Sequence, residues 1–191
     1  INYAALIGAD VINLSSGFYA QTGERVVVGC GGGTSGETGL SRKKFDGLRA
    51  EFQKEMNSSV ALRTSVLVPA AGNCPLDLDS GAAFEWPSSF KNNQFLVVGS
   101  VDGSGNLSAF SSWGTTTVDI AAPGEDYQVL LPGGGNANAC RGTAGDCDGT
   151  SYAAPLVAGT DAIEADVFEL IHRRRRGRPT RPSSIEWNAA I

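Results

Sequence analysis

The sequence is poor in histidine and has no long apolar run. His172 is the only histidine among 191 residues. No stretch reaches the roughly 18 consecutive apolar residues that a membrane-spanning helix needs, so we expect no membrane association. Arginine is concentrated near the C-terminus without interleaved aromatic residues, a pattern that gives no support for nucleic-acid binding.

The four cysteines match no metal-binding pattern, because no Cys-x-x-Cys pair occurs. Two of them share one glycine-rich loop before residue 151 and could form a small disulfide, with four free thiols as the alternative. The even number favours a secreted or vesicular protein. The cysteines are Cys30, Cys74, Cys140 and Cys147.

Glycine is abundant, at 25 residues, as expected of many tight turns. Six glycines cluster between residues 29 and 39. The Gly-Lys-Ser/Thr ending of a phosphate-binding loop is absent there, so we interpret this segment as a flexible insertion. Hydrophobic residues make up 41% of the chain, enough for one domain with a sizeable core.

Strands and helices alternate along the chain, which predicts an α/β fold with a mainly parallel sheet. Phe45, Leu48, Phe52 and Met56 recur at helical spacing and predict an apolar stripe that faces the core. Asp102–Asn106 predicts the turn of a hairpin. The predicted strands cover residues 11–14, 66–71 and 95–101, and the predicted helices cover residues 2–8, 42–62 and 151–172.

One short run places a serine at the start of a helix. Gly149-Thr150-Ser151-Tyr152-Ala153-Ala154-Pro155 begins with a small-residue turn and continues into small apolar residues. A serine there lies among unpaired backbone N–H groups at the positive end of the helix dipole. Such groups stabilise a negative oxygen on an attacked carbonyl, so Ser151 is a candidate nucleophile. An ordinary helix N-cap is the alternative.

A second run ends a strand in an uncharged hydrogen-bond donor. Residues 66–73 read Val-Leu-Val-Pro-Ala-Ala-Gly-Asn, and the amide of Asn73 offers N–H groups without a charge. In parallel sheets, sites gather beyond the carboxyl ends of strands. Asn73 is therefore a candidate oxyanion donor, and a turn asparagine is the alternative.

These runs, in this order, resemble the subtilisin-like serine proteases (subtilases). The resemblance extends from residue 1 to about residue 170 and implies the subtilisin-like fold, with helices on both faces of the sheet and no organic cofactor. The matching segments are Gly8–Gly17, Val66–Asn73, Leu96–Asp102, Phe110–Gly114, Ile120–Gly124 and Gly149–Gly159.

The resemblance also implies how the residues divide the work. Ser151 would attack a peptide carbonyl, and Asn73 with the backbone N–H of Ser151 would hold the oxyanion. One edge would pair with an extended polypeptide substrate, and a facing wall of small residues would admit its first side chain. The edge is Ser15, Ser16 and Gly17, and the wall is Ala70, Ala71 and Gly72.

The family's triad aspartate and histidine precede the segment that resembles residues 1–17, and neither motif is present. His172 follows Ser151 by about twenty residues of one predicted helix, or about 30 Å, too far to act as its base. We therefore interpret the chain as a fragment without the N-terminal part of the domain. We expect that N-terminal part to be the binding partner of this fragment, and we expect the fragment alone to be inactive.

Glu85 precedes Trp86-Pro87, and the resemblance implies that this pair follows the floor of the main specificity pocket. A carboxylate on that floor would favour lysine or arginine in the substrate. The Trp86–Pro87 bond is a candidate for the cis form, since X–Pro bonds are where such bonds occur.

Calcium is the one metal that the sequence leaves open. Asp77 and Asp79 are close together and Asp102 lies in a turn, but no twelve-residue calcium loop is present. Surface turns explain these acids equally well.

The C-terminal end carries six arginines between residues 173 and 181. We interpret residues 173–182 as a solvated linker between a domain of residues 1–172 and a short helix over 183–191. A convertase cleavage site and a nucleic-acid or targeting patch are the alternatives.

Two other functions compete with the peptidase interpretation. An inactive protein of the same fold that only binds is one, and an esterase is the other. The esterase requires a Gly-x-Ser-x-Gly turn, whereas Ala153 stands where the second glycine belongs.

Overall fold

The computed structural model describes residues 1–22, 25–28, 36–59, 64–130, 136–138 and 148–176. Within these ranges three helices are separated by a run of four strands and a run of six. No helix among the described residues is long and apolar enough to cross a membrane. The elements in chain order are α1 (Asn2–Leu6), β1 (Val11–Leu14), β2 (Phe18–Thr22), β3 (Arg25–Val28), β4 (Gly36–Ser41), α2 (Arg42–Ser58), β5 (Val66–Pro69), β6 (Ala83–Trp86), β7 (Val98–Val101), β8 (Ile120–Pro123), β9 (Gln128–Leu130), β10 (Asn136–Asn138) and α3 (Thr150–Arg176).

A parallel layer of strands carries the core. β1 pairs with β5, and β7 pairs with β8, both in parallel register. Isolated parallel bridges from Leu67 to Phe95 and from Ala70 to Val98 connect the two pairs, which gives the order β1-β5-β7-β8. The predicted mainly parallel sheet is confirmed.

Alternate residues of β5 point to opposite faces of this layer, as strand geometry requires. Leu67 belongs to a core cluster with Phe45 of α2, and α1 packs against the same cluster through Ala4 and Ala5. Val68 belongs to a second cluster with the first turns of α3. Helices therefore lie on both faces, as the sequence predicts.

The start of α3 is built from small residues, so the helix approaches the sheet closely. Ala153 and Ala154 are fully buried against Val68 and Val98. The helix begins at Thr150, next to the carboxyl ends of β5 and β7. It continues to Arg176, so Arg173–Arg176 are helical and not part of a linker, a correction to the predicted boundary at residue 172. Residues 177–191, including the predicted helix 183–191, lie outside the described residues.

A second, antiparallel sheet was not predicted. Its strand order is β4-β3-β2-β6, and Phe18 of β2 lies opposite Trp86 of β6. The glycine-rich segment interpreted as a flexible insertion therefore contributes β4 over Gly36–Ser41. That interpretation is wrong for these residues, because their backbone groups pair with β3. Residues 29–35 lie outside the described part of the chain.

Helix α2 begins after Ser41, whose hydroxyl accepts a hydrogen bond from the N–H of Lys44. It ends at Ser58, short of the predicted residue 62, because Ser59 has an extended backbone. Of the predicted apolar stripe, Phe45 is buried, whereas Leu48 and Phe52 are 38% and 46% exposed. Phe52 instead packs edge-on against Trp86, with ring centroids 3.8 Å apart.

Candidate active site

Ser151 and Asn73 converge on one point beside Gly149. A Cβ placed on Gly149 would lie 2.9 Å from the Ser151 Oγ and 3.2 Å from the Asn73 Nδ2. The serine comes from the first turn of α3, and the asparagine comes from the loop after β5. A hydroxyl and an amide donor thus flank a space that glycine leaves empty. The predicted nucleophile and the predicted oxyanion donor therefore lie side by side.

Thr150 fixes which way the Asn73 amide points. Its backbone N–H and its hydroxyl both donate to the Asn73 Oδ1, at 2.9 Å each. A backbone N–H can only donate, so the atom that it meets is the amide oxygen. The Nδ2 group therefore faces Ser151. The Thr150 Oγ1 also accepts from the N–H of Gly72 at 3.1 Å, which ties both partners to the loop after β5.

Ser15 supports the backbone of Ser151. Its hydroxyl donates to the carbonyl oxygen of Ser151 at 3.0 Å. In an α-helix that carbonyl accepts from the N–H four residues on, but that residue is Pro155, which has none. The Asn13 amide donates in turn to the Ser15 Oγ at 2.9 Å. Ser15 thus supplies the hydrogen bond that the helix lacks, which was not predicted.

A cavity of about 250 Å³ adjoins these groups. Most of the residues predicted to bind substrate line it, together with both predicted catalytic residues. Ala71 does not, because its neighbours Ala70 and Gly72 point to the cavity and Ala71 points to the core, where it is fully buried. The lining residues are Ser15, Ser16, Gly17, Tyr19, Ala70, Gly72, Asn73, Cys74, Glu85, Thr150 and Ser151.

The carboxyl of Glu85 lies between two glycines. A Cβ on Gly72 would be 2.6 Å from the Oε2 atom, and a Cβ on Gly17 would be 3.1 Å from the Oε1 atom. Gly72 also has a φ of +102°, which side chains rarely adopt. Burial raises the pKa of Glu85 to about 8, because a charged carboxylate loses its hydration there. The adjoining Trp86–Pro87 bond is cis.

Three cavity residues escaped sequence reasoning. Tyr19 lies opposite Glu85 in the β2–β6 register, and that pairing was not predicted. The sequence shows Thr150 only as the residue before Ser151 and does not reveal its hydrogen bonds to Asn73. Cys74 is disulfide-bonded, so the alternative of four free thiols is wrong. Its partner, like the loop of Cys140 and Cys147, lies outside the described residues.

Two of the aspartates that are candidates for calcium accept hydrogen bonds from other residues, Asp79 from a distant segment and Asp102 from its own turn. Asp79 accepts hydrogen bonds from the hydroxyl of Thr117 and from the N–H and hydroxyl of Thr116, which hold its pKa below the usual value. Asp102 accepts from the N–H groups of Ser104 and Asn106. Within the described ranges, no group of three or more histidine, cysteine or acidic residues is placed to hold a metal ion.

A helix-tip serine that faces an amide donor, on a parallel α/β sheet with helices on both faces, is the arrangement that the resemblance to the subtilisin-like class predicts. Comparison with known proteins agrees. A family model for the subtilase family matches residues 1–168. The chain belongs to the subtilase family.

Curated relatives match over most of this chain but only part of their own length. Mycosin-4 of Mycobacterium tuberculosis is 38% identical over 131 residues, which are 61% of this chain and 28% of that protein. Subtilisin amylosacchariticus of Bacillus subtilis subsp. amylosacchariticus is 31% identical over 163 residues, which are 85% of this chain and 32% of that protein. The chain therefore spans about a third of the length of these relatives.

Solved structures show the same fold. A lanthipeptide protease superposes with a TM-score of 0.61 at 26% identity, covering 93% of this chain and 52% of its own. The epidermin leader peptide processing serine protease of Staphylococcus aureus superposes with a TM-score of 0.61 at 25% identity. The match covers 88% of this chain and 43% of that protein's chain.

Proposed function

We propose that this chain supplies the nucleophile and the oxyanion donor of a serine endopeptidase. The observation that carries the proposal is the convergence of the Ser151 Oγ and the Asn73 Nδ2, both within 3.2 Å of one point beside Gly149. Membership of the subtilase family supports peptide-bond hydrolysis as the reaction. The polypeptide substrate would lie along Ser15–Gly17, with Ala70 and Gly72 facing it across the cavity.

In the proposed reaction, the Ser151 hydroxyl gives its proton to a histidine and its oxygen attacks the carbonyl carbon of the substrate. The carbonyl oxygen becomes an oxyanion, held by the Asn73 Nδ2 and the backbone N–H of Ser151. The histidine then protonates the departing amine, which leaves an acyl group on Ser151. Water hydrolyses that acyl-enzyme with the same histidine as base. These steps use no organic cofactor.

The histidine comes from outside these 191 residues in this proposal. His172 is in α3 with Ser151, about twenty residues further on, and a helix rise of 1.5 Å per residue separates them by about 30 Å. We propose that an N-terminal part of the same domain provides the histidine and the aspartate that orients it. The isolated 191 residues should then have only residual activity.

A fluorophosphonate probe tests the proposal, because it reacts with a catalytically activated serine and not with an ordinary serine hydroxyl. The full-length protein should be labelled and should cleave peptides, and Ser151→Ala should abolish both. Asn73→Ala should lower kcat by about 10²–10³-fold. Ser104→Ala, an exposed turn serine, is the matched control and should change nothing.

Three outcomes would decide against the proposal. Absence of labelling in the folded full-length protein would favour the inactive binding protein of the same fold. Robust turnover by the 191-residue chain, lost in Ser151→Ala, would show that the base lies within this chain. Labelling that persists in Ser151→Ala would place the nucleophile elsewhere.

We also propose a secreted or vesicular location. The disulfide at Cys74 supports it, since disulfides persist in oxidising compartments. Retention of that disulfide in protein isolated from cells under alkylating conditions is the measurement; a reduced Cys74 would contradict the proposal.

A further inference from the structure

The cavity beside Ser151 has the size of one amino-acid side chain. Its volume is about 250 Å³, below the roughly 300–1,000 Å³ of pockets that take drug-sized ligands. Ser151, Asn73 and Glu85 all line it. A side chain next to the attacked carbonyl would therefore reach the carboxyl of Glu85.

One oxygen of the Glu85 carboxyl is buried without a hydrogen-bond partner. The residue is only 6% exposed, and among the described residues its Oε2 atom has no hydrogen-bond partner. The hydrogen bonds near Glu85 involve its backbone, where the N–H donates to the Ser89 hydroxyl and the carbonyl accepts from the Ser88 hydroxyl. Leaving a buried acceptor unsatisfied is costly, so a ligand that brings a donor to this atom is favoured.

The described lining carries no positive charge. It contains no lysine, arginine or histidine. The other residues of titratable type are Tyr19, opposite Glu85 on β2, and Cys74, which is disulfide-bonded. No described cation at the cavity therefore pairs with Glu85, so a cationic ligand would supply the charge that stabilises its ionised form.

We propose that the cavity receives a lysine or arginine side chain of the polypeptide substrate, which forms an ion pair with Glu85. This inference rests on the proposed peptidase function and names its substrate class. A guanidinium or ammonium group brings both the donors and the charge that the buried carboxyl lacks. A leucine side chain would leave the Oε2 atom unpaired, and an acidic side chain would be repelled.

Binding of the cation should release one proton to solvent. Burial holds the pKa of Glu85 at about 8 in the free protein, so the carboxyl is mostly protonated at neutral pH and ionises when the cation binds. The preference for arginine over leucine should therefore rise by up to about tenfold per pH unit and level off near pH 8. The ratio of kcat/KM for the arginine substrate to that for the leucine substrate is used because titration of the catalytic base affects both values equally and cancels.

Matched peptides test the inference on the full-length protein. Three substrates that differ only in the residue before the cleaved bond, arginine, glutamine or leucine, are compared by kcat/KM. Arginine should be strongly preferred, and Glu85→Gln should lower kcat/KM for arginine by about 10²–10³-fold while leucine changes little. The arginine-to-leucine ratio of this variant should not depend on pH. Glu51→Gln, an exposed acid on α2, is the matched control.

A second measurement uses only the wild-type protein, so it does not depend on whether the Glu85→Gln variant folds correctly. Benzamidine is a planar cation and benzamide is its neutral counterpart. Benzamidine should inhibit the wild-type protein more strongly than benzamide, and increasingly so up to pH 8. Equal inhibition by the two compounds would overturn the inference.

The inference and the proposed function fail in different ways. If Ser151 is labelled and arginine and leucine peptides are cleaved equally, the role of Glu85 is wrong and the peptidase stands. An equal loss for all peptides in Glu85→Gln has the same meaning. If neither labelling nor cleavage occurs, both are overturned.

Discussion

The Oδ1 atom of Asn73 accepts two hydrogen bonds from Thr150, one from its backbone N–H and one from its hydroxyl, at 2.9 Å each. Thr150 directly precedes Ser151, so the helix that carries Ser151 also orients the amide that faces it. The proposed donor and the proposed nucleophile are thus joined by these hydrogen bonds. Such preorganisation is what makes an oxyanion donor effective, since no reorientation is needed during the reaction.

Thr150→Val should reduce catalysis because it removes the hydroxyl that joins Gly72 to Asn73. The variant keeps the shape of the side chain, and the N–H of Gly72 loses its acceptor. We expect kcat to fall about tenfold, equivalent to about 1.4 kcal/mol, with little change in KM. Thr150→Ser retains the hydroxyl and should retain most of the activity. Steady-state kinetics of the full-length protein would contradict this role if both variants behaved alike.

Gly149→Ala should abolish most activity without unfolding the protein. The added Cβ would lie 2.9 Å from the Ser151 Oγ and 3.2 Å from the Asn73 Nδ2, within the space assigned to the substrate oxyanion. A loss of about 10²–10³-fold in kcat is expected, as for loss of an oxyanion donor. Gly103→Ala, where a Cβ meets nothing within 4 Å, is the control. Equal activity of the two variants would place the reacting carbonyl elsewhere.

Ser15→Ala should loosen the start of α3, because the carbonyl of Ser151 then has neither the Ser15 hydroxyl nor an N–H from Pro155. We expect a loss of about 1–3 kcal/mol in the free energy of unfolding, measured by denaturant titration. Replacing Pro155 by alanine in the same protein restores a backbone donor and should recover part of the loss. Additive effects of the two substitutions would argue against this link.

Glu85 should make stability depend on pH. Its native pKa of about 8 lies above the usual value for a glutamate, so between about pH 4.5 and 8 the native state holds a proton that the unfolded state has lost. The free energy of unfolding should therefore fall as pH rises through this window, by at most about 1.4 kcal/mol per unit. Glu85→Gln should remove this contribution. The measurement is denaturant titration of the wild-type protein and of Glu85→Gln at pH 5 and pH 8. The same change in the free energy of unfolding between the two pH values in both proteins would contradict this role of Glu85.

The parts of the candidate site that the sequence predicts are those marked by short local motifs with an evident chemical role. The run around Ser151 combines a turn, a helix start and small residues that must be buried, and all three features are readable within ten residues. The strand that leads to Asn73 is equally local. Both lie at the carboxyl ends of parallel strands, where sites of this fold class gather.

The features that escaped prediction depend on contacts between distant segments. The pairing of Phe18 with Trp86 joins short strands far apart in the chain, and neither strand has a strong alternating pattern. The role of Ser15 arises because Pro155 leaves a carbonyl without a donor, which no local signal reveals. Ala71 was assigned to the wall together with its neighbours, although the alternation of extended residues turns its side chain to the core.

The most direct test of the central claim is the structure of the full-length protein with a fluorophosphonate bound. We expect the phosphorus on the Oγ of Ser151 and one phosphonyl oxygen about 2.7–3.1 Å from the Asn73 Nδ2. A probe attached to another residue, or an oxygen directed away from Asn73, would contradict the assignment of these two side chains to one catalytic site.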